Sequence, residues 1–144
     1  MNTDEHSYSE PDDFQLPEEN SPYHFNIMTT RFAALLGFLA VALGAFGAHG
    51  LKEILLRYGT VAIWEKAVLY HFIHAVMLFI LAGRNPLPRG PWWCFLIGIV
   101  IFSGSLYLLA ATNARWLGAV TPIGGLSLLA GWLWLLVSSA KPAV

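Results

Sequence analysis

The chain has 144 residues, of which 56% are hydrophobic and only 12% charged, and its formal net charge is −1. Charged residues make up about a quarter of an ordinary soluble domain, so this composition indicates a membrane protein. The composition also excludes a basic nucleic-acid-binding domain, and the single cysteine, Cys94, excludes an intrachain disulfide.

The N-terminal segment differs from the rest of the chain in charge and polarity. Seven of the nine acidic residues fall within the first 20 positions, among many Ser, Pro and Asn residues. Such a segment has too few apolar side chains to offset the entropy of ordering. We therefore predict a disordered acidic tail over residues 1–28 and a membrane domain over residues 29–144. Because no basic segment precedes the first apolar run, we expect the first helix to stay attached.

Four apolar segments follow the tail, each long enough to cross about 30 Å of hydrocarbon as a helix. The connections RNPLPRG (84–90) and TNAR (112–115) contain proline or asparagine and predict short turns, hence antiparallel neighbours. The sequence thus predicts an all-α integral membrane bundle of four transmembrane helices, over about residues 32–48, 67–83, 91–112 and 116–140.

The first connection has the pattern of an amphipathic helix. In LKEILLRY (51–58), apolar residues recur at i, i+3, i+4 and i+7, and the charged residues take the other face. We predict a short interfacial helix here, between the first and second spans. Gly59 suits the position after the end of this helix, and Thr60 suits the N-cap of the next.

Antiparallel hairpins place residues of neighbouring spans at equal depth. Counting outward from the connections puts His71 of the second span level with Gly44 of the first and Ser103 of the third. Glycine allows close backbone approach in lipid, where packing and interhelical hydrogen bonds hold helices together. We predict a polar and glycine-rich layer, with His49 at the water boundary near Glu65. Its members are Gly44, His49, Glu65, His71, His74, Ser103, Gly104, Thr121, Pro122, Gly124 and Gly125.

The histidines have three interpretations. His71 and His74 lie three residues apart on one helix face, which suits a metal ion or, together with His49, a haem. A proton relay or substrate site is the second interpretation, because ionisable residues in a bilayer are costly and often functional. In the third, both rings are neutral and form hydrogen bonds between helices. We favour the third, with no metal or other cofactor, because no in-membrane carboxylate lies near His74.

Pro122 falls inside the fourth predicted span. A proline there removes a backbone donor and frees the carbonyl of Gly118. The break either forms an ion site of the kind found in transporters or is an ordinary kink whose freed groups bond to neighbours such as Thr121. We favour the ordinary kink.

Four stretches match a known family in order and spacing. The sequences GAFGAHGLK (44–52), YHFIHAV (70–76), FSGSLYLLA (102–110) and TPIGGLSLLAGW (121–132) closely resemble the domain-of-unknown-function 423 family. This family comprises small four-span proteins of bacterial inner membranes and is related to transmembrane protein 256. The resemblance implies a multi-pass inner-membrane protein but supplies neither an activity nor functional residues. The acidic tail departs from the family pattern, which starts close to the first helix.

Two classes of function remain open. Ridges of glycine and alanine favour a non-enzymatic structural or partner-binding bundle, whose partners are the lipid bilayer and a membrane protein or a second copy of the chain. His71, His74 and Pro122 favour a small transporter or proton-handling protein. No nucleophile and base lie at helical reach of each other, so we do not expect an enzyme. Basic residues divide equally between the two sides, and the short turn holding Arg84 and Arg89 favours cytoplasmic termini.

Overall fold

The structure, a computed structural model, describes residues 27–139. A π-helical turn, Ile99–Ser103, joins two helices into one continuous rod, and a 3₁₀-helix, Arg115–Ala119, precedes the last helix. No strand occurs between residues 27 and 139, which confirms the predicted all-α fold. The α-helices are α1 (Ile27–His49), α2 (Lys52–Tyr58), α3 (Val61–Ala82), α4 (Arg89–Gly98), α5 (Gly104–Thr112) and α6 (Thr121–Ser139).

Four helical stretches are long and apolar enough to cross a membrane, as predicted. The first begins at Ile27, two residues before the predicted start of the membrane domain, and the second begins at Val61 instead of residue 67. The second span is longer than predicted because Glu65 and Lys66 are exposed near its end, where charged groups reach water. Residues 1–26, most of the predicted acidic tail, lie outside the described residues. The spans are Ile27–His49, Val61–Ala82, Arg89–Thr112 and Arg115–Ser138.

The middle two spans form the inside of the bundle. Helix α3 packs against α1 on one side and against α4, the π-helical turn and α5 on the other, whereas α6 packs mainly on α4 and the π-helical turn. Within the most apolar 18 residues of each span, 17% of residues are buried in the first and fourth, against 39% and 44% in the second and third. Helices α1 and α6 are therefore the outer helices.

Helix α2 is present where the amphipathic pattern predicted it. Leu55 is 2% exposed and packs with Trp64 and Ala110, whereas Ile54 and Tyr58 remain more than a third exposed. The helix is thus anchored to the bundle by one side chain. Gly59 follows it in the left-handed conformation, with φ of 65°, which confirms its predicted place at the helix end.

Thr60 is the N-cap residue of α3 as predicted, but its side chain forms no capping hydrogen bond. Its hydroxyl instead donates to the carbonyl oxygen of Ala110 at 2.8 Å. Thr60 is 4% exposed, and this bond ties the start of α3 to α5. The predicted N-cap position is therefore confirmed, whereas the hydroxyl bonds to another helix and not to the N–H groups of α3.

Candidate functional site

His74 is hydrogen-bonded at both ring nitrogens. Its Nδ1 lies 2.7 Å from the carbonyl oxygen of Tyr70, and its Nε2 lies 3.1 Å from the indole nitrogen of Trp132. A carbonyl only accepts and an indole only donates, so the two bonds select the neutral tautomer with its proton on Nδ1. His74 therefore links α3 to α6, which confirms the interhelical hydrogen bond predicted for this ring.

Aromatic rings enclose His74. The ring centroids of Phe95, Tyr70 and Trp132 lie 5.4, 6.0 and 6.2 Å from the imidazole centroid. His74 is 4% exposed, although Trp132 is 42% exposed on the outer face of α6. The indole thus presents a ring edge to lipid while its N–H is satisfied inside the bundle.

His71 occupies a less satisfied site one helical turn away. The hydroxyl of Tyr107 lies 3.4 Å from Nδ1 of His71, a long hydrogen bond. Nε2 of His71 and Oγ of Ser103 are both buried, and neither has a hydrogen-bond partner within residues 27–139. Ser103 and Tyr107 are four residues apart and share one face of the third span. His71 and Tyr107 therefore form a polar cluster between α3 and the third span, and Ser103 lies one turn before Tyr107 on the same face.

The glycines of α6 lie where equal depth predicted them. A methyl group on Gly124 would overlap the backbone of Phe102, and one on Gly125 would lie 3.6 Å from the Phe102 ring. Gly104 is different, because nothing lies within 4 Å of a methyl group placed there. Its predicted place in the packed layer is wrong: equal depth does not fix rotation about the helix axis, and Gly104 points away from α6.

Thr121 joins the layer through a serine that the sequence analysis did not select. The hydroxyl oxygens of Ser105 and Thr121 lie 2.9 Å apart, and Thr121 also donates to the carbonyl of Leu117 at 3.2 Å. Ser105 lies two residues after Ser103 and so projects toward α6. The connection between the third span and α6 therefore uses Ser105.

Pro122 lies in the first turn of α6 and does not kink it. Helix α6 starts at Thr121, which places Pro122 in the first helical turn, where a backbone N–H has no acceptor within the helix. The 3₁₀-helix before it ends at Ala119, and the N–H of Val120 donates to Leu117. The predicted mid-span kink is wrong because regular α-helix begins only at this proline.

Gly44 meets a different neighbour from the one predicted. A methyl group on Gly44 would lie 3.3 Å from Val68, and one on Gly47 would overlap the indole of Trp64. The same indole donates to the carbonyl of Leu43 at 3.0 Å. Helix α1 is thus displaced by about three residues from the predicted register, so Gly44 faces Val68 and not His71. Helix α2 lies between α1 and α3 and makes this connection wider than a tight turn.

His49 and Glu65 are both exposed and stand apart from the buried polar cluster. His49 is the last residue of α1, and Glu65 lies in the second turn of α3. Between residues 27 and 139 neither side chain forms an ion pair or hydrogen bond. The same part of the chain contains no group of three or more His, Cys, Asp or Glu side chains able to hold a metal ion.

Besides Ser105, four residues of these contacts were missing from the predicted layer: Thr60, Trp64, Tyr107 and Trp132. Each carries one polar atom on a large or β-branched side chain, and only Thr60 was assigned a role, as an N-cap residue. The signal for Trp132 was available, since an indole N–H deep in a predicted span requires an acceptor. The partner itself, His74, is fixed only by the packing of α3 against α6.

The family described as Protein of unknown function (DUF423) matches residues 43–125. The UPF0382 membrane protein SH2409 of Staphylococcus haemolyticus is 45% identical over 114 residues, covering 75% of this chain and 91% of that protein. The chain belongs to the DUF423 family. Every member of the predicted polar and glycine-rich layer, from Gly44 to Gly125, lies within the DUF423 match, whereas Trp132 lies beyond it.

Other relatives in the DUF423 family are also named as membrane proteins. YwdK of Bacillus subtilis is 41% identical over 116 residues, covering 75% of this chain and 92% of that protein. The inner membrane protein YgdD of Escherichia coli is 42% identical over 125 residues, covering 79% of this chain and 93% of that protein. No solved structure matches the chain. The four spans and these relatives identify a multi-pass membrane protein.

Proposed function

We propose that this DUF423 protein is a non-enzymatic bundle of the bacterial inner membrane, with both termini in the cytoplasm, that binds a transmembrane helix of another membrane protein or of a second copy. The outer face of α1 carries this proposal. The small residues Ala34, Gly37 and Ala45, with Val41 between the last two, recur there at intervals of three or four. Val41 is 60% exposed, and nothing lies within 4 Å of a methyl group placed on Gly37.

A flat surface of small side chains favours helix association in lipid. Large side chains hold two helix backbones apart, whereas glycine and alanine allow van der Waals contact and close approach. The low burial of α1, with 17% of its most apolar stretch buried, leaves this surface available to a partner. The name of YgdD supports placement in the inner membrane.

The polar side chains inside the bundle support a structural role. Ser127 donates to the carbonyl of Cys94 at 2.8 Å, in addition to the bonds of His74, Thr60 and Ser105 already described. Apart from the bond between His74 and Tyr70, which lies within α3, each of these bonds connects two different helices or spans. Buried polar groups must be hydrogen-bonded in lipid, and this requirement explains these side chains without a catalytic role.

Photocrosslinking in intact membranes tests the proposal. A photoreactive phenylalanine analogue in place of Phe38, which is 68% exposed beside the small-residue face, should give a discrete protein adduct. The same analogue in place of Phe79, 44% exposed on α3, is the matched control and should give none. Gly37→Leu should abolish the Phe38 adduct while the protein still inserts. Lipid adducts alone at both positions would overturn the proposal.

Proton handling is the second candidate, favoured by the unpartnered Nε2 of His71 and Oγ of Ser103 beside the π-helical turn. Single π-helical turns within α-helices occur frequently at functional sites. Proteoliposomes that hold the purified protein should show no proton flux above empty vesicles if the protein is a passive bundle. A flux that His71→Gln abolishes would favour proton handling.

A further inference from the structure

A groove of about 370 Å³ runs between α1 and α3. Gly44 and Gly47 line it on α1, where close contact with Val68 and Trp64 of α3 forms the floor, and Phe72 lies on its α3 side. Two lining residues, Val41 and Leu69, are 60% and 55% exposed, so the groove opens to the exterior. Its volume lies within the range of about 300 to 1,000 Å³ usual for small-molecule sites.

One carboxylate interrupts the apolar lining. Glu65 is the only charged residue among those of the described chain that line the groove, and it is exposed in the second turn of α3. No basic side chain within residues 27–139 forms an ion pair with it. Since α3 begins at Val61, Glu65 lies about 6 Å along the helix from its end, close to the polar boundary of the membrane. The groove therefore combines hydrocarbon surface with one unpaired negative charge near its polar end.

We propose that this groove binds a phospholipid with an ammonium headgroup, of the phosphatidylethanolamine type. One acyl chain lies along Gly44 and Gly47, and the ammonium group pairs with Glu65. The exposed Lys66 follows in the chain, and its long side chain reaches the lipid phosphate. Adjacent carboxylate and ammonium groups thus match the opposite charges of a zwitterionic headgroup.

The shape and charge of the groove disfavour other occupants. A helix needs about 8 to 10 Å between its axis and that of each neighbour. Because Gly47 and Trp64 hold α1 and α3 in contact below the groove, the groove is too narrow for a helix but wide enough for an acyl chain. An anionic lipid without an ammonium group could pair its phosphate with Lys66 but would leave the Glu65 carboxylate without a partner. The site shares only Val41 with the partner surface proposed above, because Ala34, Gly37 and Ala45 do not line the groove.

Lipid selectivity of the full-length protein tests this site. The purified protein is exchanged into nanodiscs of equal phosphatidylethanolamine and phosphatidylglycerol, then extracted in mild detergent, and the retained lipids are quantified by mass spectrometry. For the wild type, the ratio of retained phosphatidylethanolamine to phosphatidylglycerol should be about threefold above the input ratio. This is the selectivity that an ion pair of about 0.6 kcal/mol provides. Glu65→Gln should return the ratio to that of the input. Glu53→Gln, on the exposed face of α2, is the matched control and should keep the enrichment.

A second variant tests the groove itself. Ala48→Phe places a ring in the groove and should lower the retained lipid of both types, whereas Ala42→Phe, exposed elsewhere on α1, should not. Both alanines are exposed, so the helix content of each variant should equal that of the wild type. Retention at the input ratio by the wild type, or enrichment that persists in Glu65→Gln, would overturn the lipid site. Neither result would affect crosslinking at Phe38, so the two proposals fail separately.

Discussion

Single hydrogen bonds carry much of the specificity between the helices. In lipid no water competes for a buried donor, and the hydrophobic effect does not hold one helix against another. The Trp132 indole, the His74 ring and the Tyr70 carbonyl therefore form a chain of bonds that sets one arrangement of α3 and α6. His71 contributes less, since one of its nitrogens has no partner in the part of the chain that the structure describes.

Replacement of His74 tests this chain of bonds. His74→Phe leaves the N–H of Trp132 without an acceptor and should lower the free energy of unfolding by about 0.6 to 2 kcal/mol. His74→Gln should retain most of the stability, because the amide oxygen accepts from Trp132. Reversible unfolding in mixed micelles measures both, with His49→Phe at the exposed end of α1 as the control. Equal losses for Phe and Gln would contradict the proposed bond.

Two glycines of the predicted layer should respond in opposite ways. Gly124→Ala forces a methyl group into the Phe102 backbone and should cost about 1 to 3 kcal/mol of unfolding free energy. Gly104→Ala meets open space and should leave stability unchanged or raise it by up to about 1 kcal/mol, because alanine is the better helix former. Thermal unfolding of the two variants side by side gives the comparison. Similar melting temperatures would show that α6 does not pack closely on Phe102.

At the scale of elements, departures from α-helix occur at the start of the fourth span and in the middle of the third. The fourth span starts as a 3₁₀-helix and becomes α-helical at Thr121, and the third contains the π-helical turn. Hydropathy alone predicts each of these spans as a uniform helix, because it contains no information about the pattern of backbone hydrogen bonds. Only Pro122 signalled the irregularity, and the sequence did not decide between a kink and a helix start.

Pro122→Ala distinguishes a helix start from a mid-helix kink. The proline breaks no hydrogen bond in the first turn, so its replacement should change the free energy of unfolding by less than about 1 kcal/mol. Leu129→Pro, seven residues later in the same helix, should cost about 3 kcal/mol or more. Unfolding in mixed micelles measures both variants. A gain of more than about 1 kcal/mol from Pro122→Ala would indicate strain that a helix start does not have.

At the scale of the whole molecule, the relative depth of residues in neighbouring spans was predictable across a short turn, but not across the longer connection that contains α2. Residue counting across the short turn before α6 placed Gly124 level with Gly104, and the structure packs it against Phe102, two residues away. Counting failed between α1 and α3, where α2 intervenes and Gly47 meets Trp64. The rotation of each helix, which separates Ser105 from Gly104, follows from packing and was not available from depth. The candidate site was thus predicted at the level of depth and polarity, not of contacts.

The four-span topology predicts the side of each connection. In a Cys94→Ser background, single cysteines at Ile27, Arg84 and Ser138 should react with a membrane-impermeant reagent from one side of the membrane. Lys52→Cys on α2 should react from the other, because one span separates it from Ile27. The measurement compares the labelling of each cysteine in intact spheroplasts with its labelling in inverted vesicles. Reaction of Ile27 and Ser138 from opposite sides would contradict an even number of spans.

The order of packing along the chain bears on how the protein is made. Helix α1 packs on α3, and α6 packs on the third span, so each neighbouring pair of spans has its own interface before the two halves meet. A ribosome releases the first pair while the second is still being synthesised, so the N-terminal half can assemble during translation. The same division suggests that a gene cut between the codons for residues 84 and 88 would yield two fragments that reassemble in one membrane, with α3 as the surface on which they rejoin.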